Sequence, residues 1–258
     1  MTEQCAGARI AADRFGRGEK RILMLHGWGC ERGMMRPLGE KLAAAGHEIL
    51  IPDFPGHGES GRPPEPWGVP EYAECVLELL EKQEFAPCAV IAHSFGGRVA
   101  TWIASERPDV FTRIILTGAA GIRAPQTEEG KRRSEAYQKW KRAEQQMEKI
   151  GLLRPAALKL KHRIQEKYGS ADYNALDDEM KKTFVKVIQL DLSDRYARIQ
   201  APTLLMWGDR DTETPLWMGQ RMEKEIPDAA LILLEGGSHF AYLEQGEKFA
   251  LIAAEFLK

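Results

Sequence analysis

Residues 88–100 read CAVIAHSFGGRVA. Five apolar or small residues, too few for a helix, run into a histidine and a serine. Two glycines and a helix-forming stretch follow at once. A strand that turns this sharply into a helix needs small residues on both sides of the bend. Ala92, Gly96 and Gly97 supply them. Ser94 then sits at the tip of the turn, where a strained backbone pushes a hydroxyl out above a sheet. The pattern is G-x-S-x-G with Ala92 in place of the first glycine, and the extra methyl adds crowding at the bend. A serine that merely caps a helix is the competing reading.

Three other stretches have chemistry that such a serine would need. Residues 25–29, LHGWG, follow an apolar run and form a glycine-rich loop. A nucleophilic attack on a carbonyl builds a negative oxygen that needs two backbone N–H donors. The residue after the nucleophile, Phe95, supplies one, and Trp28 in this loop is the candidate for the second. His26 reads as a brace for the loop and not as a base. Residues 204–215, LLMWGDRDTETP, put Asp209 and Asp211 just past a strand, where either can orient a histidine or serve as a turn residue. Residues 234–240, LEGGSHF, put His239 in a loop between the last apolar run and the last helical stretch. Ser, Asp and His thus arrive in that order, each after a successive late strand, which weighs more than any one motif.

The rest of the chain alternates in the same way. Residues 21–25, 48–51, 88–92, 114–117, 203–207 and 231–234 are short buried strands, and residues 9–14 add one at the edge. Helical stretches lie at 36–45, 70–82, 97–107, 215–224 and 247–257. Strands separated by helices predict an α/β protein whose mostly parallel sheet carries helices on both faces. The alternation stops between GAAG at 118–121 and Ala201-Pro202. Residues 121–200 are polar and helical, with Tyr137, Trp140, Tyr168, Tyr173 and Phe184 spread through them. They read as a helical cap inserted into a core made of residues 1–120 and 201–258.

Composition narrows the function. The chain has 258 residues, 43% hydrophobic and 29% charged, enough for a full core. A net charge of −2 gives no reason to expect a nucleic acid as partner. Cys5, Cys30, Cys75 and Cys88 are scattered and read as reduced thiols of a cytoplasmic protein. No apolar run is long enough for a signal peptide or a membrane span. The histidines show no metal-ligand spacing. Residues 56–61, GHGESG, match a dinucleotide-binding fingerprint in letters only. Arg62, Pro63 and Pro64 follow, so no helix opens there.

LHGWG, DFPGHGES at 53–60, HSFGG, W-G-x-x-D ending at Asp211 and G-G-S-H-F around His239 together resemble the α/β-hydrolase superfamily. The similarity spans nearly the whole chain, with residues 121–200 in the place of the variable cap. It implies a serine hydrolase with Ser94 as nucleophile, His239 as base and Asp211, the last residue of G-x-x-D, as orienting acid. Phe95 and Trp28 would form the oxyanion hole, with no cofactor and no metal. HGWG further resembles carboxylesterases, pimeloyl-carrier-protein methyl ester esterases among them, which favours a small or medium-sized carboxylic ester as substrate. Carbon–carbon bond or thioester cleavage, and a non-catalytic ligand binder, are the alternatives. Relatives that cleave haloalkanes or epoxides place aspartate where this chain has Ser94. Residues 121–200 hold 18 basic and 12 acidic residues, densest at Lys131, Arg132, Arg133, Lys139, Lys141 and Arg142. Such a stretch suits an acyl group on an acidic carrier protein or on coenzyme A, or is simply a solvated face.

Overall fold

Each apolar run becomes a strand because turn residues stop it before it can complete a helix. The computed structural model describes residues 1–123, 128–168 and 171–258, without the side chains at 129, 130, 133, 134, 162, 165–168, 171 and 172. Tyr168 and Arg133 therefore lie outside the described side chains. The described strands are β1 (Thr2–Cys5), β2 (Ala8–Phe15), β3 (Lys20–Leu25), β4 (His47–Pro52), β5 (Cys88–His93), β6 (Phe111–Thr117), β7 (Thr203–Gly208) and β8 (Ala229–Leu234). They form one sheet in the order β1-β2-β4-β3-β5-β6-β7-β8. Pairs from β4 to β8 are parallel, and β1 and β2 join antiparallel at one edge.

Both faces of the sheet are covered. Leu23, Leu25, Val90, Leu116, Leu205 and Trp207 pack on helices α2 (Val69–Lys82), α3 (Phe95–Glu106) and α8 (Leu216–Glu225). The alternate residues Ile22, Met24, Ile91, Ile115 and Met206 pack on α1 (Arg32–Ala44) and α10 (Gly246–Phe256). A strand apolar on both sides suits this sandwich of helices. The sheet runs outward in opposite directions from β3, to β4 on one side and β5 on the other. Such a reversal leaves a crevice at the carboxyl ends of the strands. The loops carrying Trp28 and Ser94 leave β3 and β5 there.

The chain forms two compact units, residues 1–122 with 185–258, and residues 123–184. The first takes in residues 185–200, which the sequence grouped with the insertion: Val187, Tyr196 and Ile199 belong to its core. The second is built from α4 (Glu128–Glu148), α5 (Arg154–Tyr168), α6 (Ala171–Ala175) and the start of α7 (Asp178–Gln189), with α4 packed along α5.

Candidate active site

Ser94 has φ 51° and ψ −110°, a left-handed conformation that a serine adopts only at a cost of about 1–3 kcal/mol. Neighbouring hydrogen bonds hold it there. Its N–H donates to the Thr117 carbonyl (3.2 Å), and its own carbonyl accepts from Gly97 (3.0 Å) and Ala120 (3.1 Å). The bend is tied in this way to the end of β6. A side chain on Gly96 would collide with the Leu25 carbonyl, and one on Gly97 with Ala119. The methyl of Ala92 is accommodated in the core. The Ser94 hydroxyl makes no capping hydrogen bond to α3. Phe95 opens α3, so its N–H has no partner within the helix.

The loop after β3 is fixed by His26. This ring is fully buried, donates from Nδ1 to the Gly27 carbonyl (2.7 Å) and accepts at Nε2 from the Phe54 N–H (3.0 Å). Burial, with His57 nearby, pushes its pKa down to about 3. The His26 carbonyl also accepts from the Gly96 N–H (3.1 Å), linking this loop to the bend. Trp28 meets Phe95 edge to face, ring centres 5.3 Å apart. Residues 53–61 form a turn and not a helix start: Gly56 N–H donates to the Gly61 carbonyl (2.9 Å). The buried Asp53 accepts from the Arg32 and Glu59 N–H groups and pairs with the Arg32 guanidinium.

Asp211 and His239 come together. Nδ1 of His239 lies 2.8 Å from Oδ2 of Asp211. Oδ1 of Asp211 accepts from the N–H groups of Glu213 and Thr214, both at 2.9 Å. Burial pushes the Asp211 carboxyl up, but hydrogen bonds from His239 and Thr214 outweigh it, leaving it below its ordinary value. An ionised Asp211 can only accept, so Nδ1 of His239 carries the hydrogen and Nε2 is left with a lone pair. Asp209 does other work: its Oδ1 accepts from the Gly236 N–H (2.6 Å) and so ties down the loop that leads to His239. Gly118, at φ +49°, closes the floor, since a Cβ there would sit 3.1 Å from both Asp211 Oδ2 and His239 Nδ1.

Two residues in this arrangement were not singled out by sequence. Thr214 Oγ1 lies 2.8 Å from Asp211 Oδ2, 3.0 Å from the Gly118 carbonyl and 3.2 Å from His239 Nδ1. It sits three residues after Asp211, the spacing at which a chain folds back on a carboxylate, and that was the available signal. His93 donates from Nε2 to the His239 carbonyl (2.9 Å), so the residue beside Ser94 touches the residue proposed as its base. Among the described residues no cluster of three or more His, Cys, Asp or Glu could hold a metal ion. No described helix is long and apolar enough to cross a membrane.

Comparison with known proteins agrees with this geometry at the level of the fold and family. The chain is 26% identical over 256 residues to a pimeloyl-[acyl-carrier protein] methyl ester esterase of Neisseria meningitidis, covering 93% of this chain and 94% of that one. It is 26% identical over 267 residues to a 2-hydroxy-6-oxononadienedioate/2-hydroxy-6-oxononatrienedioate hydrolase of Cupriavidus pinatubonensis, covering 96% and 90%. The crystal structure of a hydrolase from Pseudomonas aeruginosa superposes with a TM-score of 0.75 at 24% identity, over 100% of this chain and 97% of that one. The model of the alpha/beta hydrolase family matches residues 22–250, and the chain belongs to that family.

Proposed function

We propose that this alpha/beta hydrolase cleaves a carboxylic ester through an acyl-enzyme on Ser94. The observation that carries the reading is the junction of a strained Ser94 with the His239–Asp211 pair, bridged by His93. In the first half-reaction Nε2 of His239 takes the Ser94 proton as Oγ attacks the ester carbonyl. Asp211 holds the imidazole in the tautomer that can accept it and stabilises the cation formed. The N–H groups of Phe95 and Trp28 hold the oxyanion, each worth about 2.7–4 kcal/mol of barrier. The tetrahedral intermediate collapses, the alcohol leaves with the proton from His239, and Ser94 keeps the acyl group. Water then attacks with His239 again as base, releasing the acid and restoring Ser94.

The basic insertion supports a finer reading, in which the acyl group arrives on an acidic carrier protein or on coenzyme A. The similarity to an acyl-carrier methyl ester esterase points the same way. The experiment is treatment with a fluorophosphonate, followed by mapping of the adduct, beside a panel of p-nitrophenyl esters and a diketone with a cleavable carbon–carbon bond. The adduct is expected on Ser94, with an ester burst. Ser94→Ala should lower kcat by about 10⁶-fold, as loss of the nucleophile does in a serine protease. An adduct elsewhere, or an active Ser94→Ala, overturns the reading, and turnover of the diketone alone replaces the ester.

A further inference from the structure

The residue just before the nucleophile is a histidine with no place in the reaction above. His93 closes β5, is 1% exposed, and points away from bulk water. Its two ring nitrogens are treated very differently. Nε2 lies 2.9 Å from the His239 carbonyl oxygen, and a carbonyl can only accept, so Nε2 carries the hydrogen. Nδ1 is buried and has no hydrogen-bond partner among the described residues. The Gly27 backbone passes so close that a Cβ there would sit 2.8 Å from this nitrogen. The ring lies 4.7 Å from that of His239, 5.1 Å from Phe240 and 4.8 Å from Tyr242.

We infer that His93 is a positioning residue: its Nε2–H fixes the His239 carbonyl, and through it sets the imidazole of His239 between Asp211 and Ser94. The inference rests on the reading of Ser94 and His239 given above. The loop is otherwise held by its own segment and by the loop after β7, where the Arg210 N–H donates to the Gly237 carbonyl (3.0 Å). Asp209 binds Gly236, Glu244 binds Ser238, and Gln245 donates to the Glu235 carbonyl. None of these reaches residue 239. His93 donates to the backbone of residue 239 itself, and its own backbone continues directly into Ser94. Nucleophile and base are thereby referenced to each other through a single side chain. The unpartnered Nδ1 suits a neutral ring, since a proton there would have no acceptor among the described residues. Four titratable groups face it: His239 after β8, Asp211 after β7, His26 after β3 and Tyr242 in the short helix α9 (Ala241–Glu244). Burial and the two neighbouring histidines oppose a charge there, while the Asp211 carboxylate favours one.

Two amide substitutions separate the donor from the packing. In His93→Gln the amide nitrogen takes the place of Nε2 and can still donate to the His239 carbonyl. In His93→Asn it takes the place of Nδ1, toward Gly27, and cannot. Both bury one amide, so melting curves provide the folding control. Measured on each are kcat and KM for a p-nitrophenyl ester, the rate of fluorophosphonate attachment, the pH profile, and the low-field proton NMR signal of the His239–Asp211 hydrogen. His93→Asn is expected to lose about 10²-fold in kcat and in attachment rate at unchanged KM, the scale of a misplaced catalytic group. Its low-field signal should broaden into solvent exchange and the acid limb of its pH profile should move. His93→Gln should keep all five near wild type. Equal losses in both variants, or none in either, overturn the inference. If the wild-type protein takes no fluorophosphonate, the esterase reading fails alone, because the NMR signal in the two variants still decides what His93 does.

Discussion

The two units of the chain differ in what their sequences are asked to do. Residues 123–184 carry 15 basic and 10 acidic residues, while the other 196 carry 21 and 28. In the larger unit the central strands β3 to β7 are largely buried between helices. In the smaller one Trp140, Ile150, Leu152 and Leu158 stand 48%, 54%, 91% and 64% exposed. Every residue given a chemical role here, Ser94, Phe95, Trp28, Asp211 and His239, belongs to the larger unit. On the proposed roles, chemistry that depends on tenths of an ångström lies where strands fix the backbone. The insertion carries none of these residues, so on the proposed reading its sequence is free to answer to charge and to substrate.

The comparison can be broken most decisively at Asp211. Asp211→Asn should lower kcat by about 10⁴-fold, as loss of the equivalent charge does in a serine protease. Asp209→Asn should cost far less, because its carboxylate serves a loop hydrogen bond. Steady-state kinetics on both decides it, and a larger loss at Asp209 reverses the assignment.

Acid sharpens the contrast from another direction. Burial pushes both His26 and His93 down to about 3. Unfolded, a histidine titrates near ~6.5. Between these values the unfolded chain binds more protons, so their contribution is fully present above about pH 6.5 and is lost as pH falls toward 3. The slope is about 1.4 kcal/mol per pH unit for each histidine. Buried His57, also pushed down by burial, adds to it; urea melts from pH 4 to pH 7 should show the sum, and His93→Gln should remove the share of one histidine, about 1.4 kcal/mol per pH unit. A slope unchanged in that variant would locate the acid sensitivity elsewhere.

Thr214→Val keeps the shape but deletes the hydroxyl beside Asp211 and His239. A hydrogen bond to a charged group is worth about 1.5–3 kcal/mol, so kcat/KM should fall by roughly 10- to 100-fold, with recovery in Thr214→Ser. Activity unchanged by the valine would make the threonine structural. The smallest effect belongs to the insertion. Reversing Arg132, Lys139 and Arg142 to glutamate should change folding stability by no more than about 0.5 kcal/mol per site and leave a neutral ester unaffected. An acyl-carrier ester should lose rate in that variant and show salt dependence in wild type, screened over about 8 Å at physiological ionic strength. Loss with the neutral ester too would bring the insertion into the chemistry and erase the division drawn above.

Most of the fold was legible because its signals are local. All six central strands were read to within a few residues at either end, since apolar runs and turn residues sit next to each other in sequence. What escaped depends on distant partners. The first strand, TEQC, has one buried residue, and its turn places Ala6 at φ 49°, without the Asn-Gly that marks such hairpins. Helix α1 begins at Arg32, four residues before the expected start, because Asp53 receives the Arg32 N–H (2.6 Å) from 21 residues away. Pro37 lies inside the helix. In the site, Ser94, Asp211 and His239 each stood in a recognisable string. Thr214 and His93 stood inside such strings without a signal of their own, because a threonine in TETP and a histidine ending a strand acquire meaning only from what folds against them.

The order in which the site is assembled also has a consequence in time. Ser94 follows a central strand, whereas His239 follows β8, the last strand laid down. The two are 145 positions apart. At about 5–20 residues per second, a ribosome takes roughly 7 to 30 seconds to travel from one to the other. During that interval the growing chain holds a serine with no base to activate it. On the proposed roles, a product truncated anywhere before β8 is inert toward the esters around it, so hydrolysis begins only with a chain that has received its final strand.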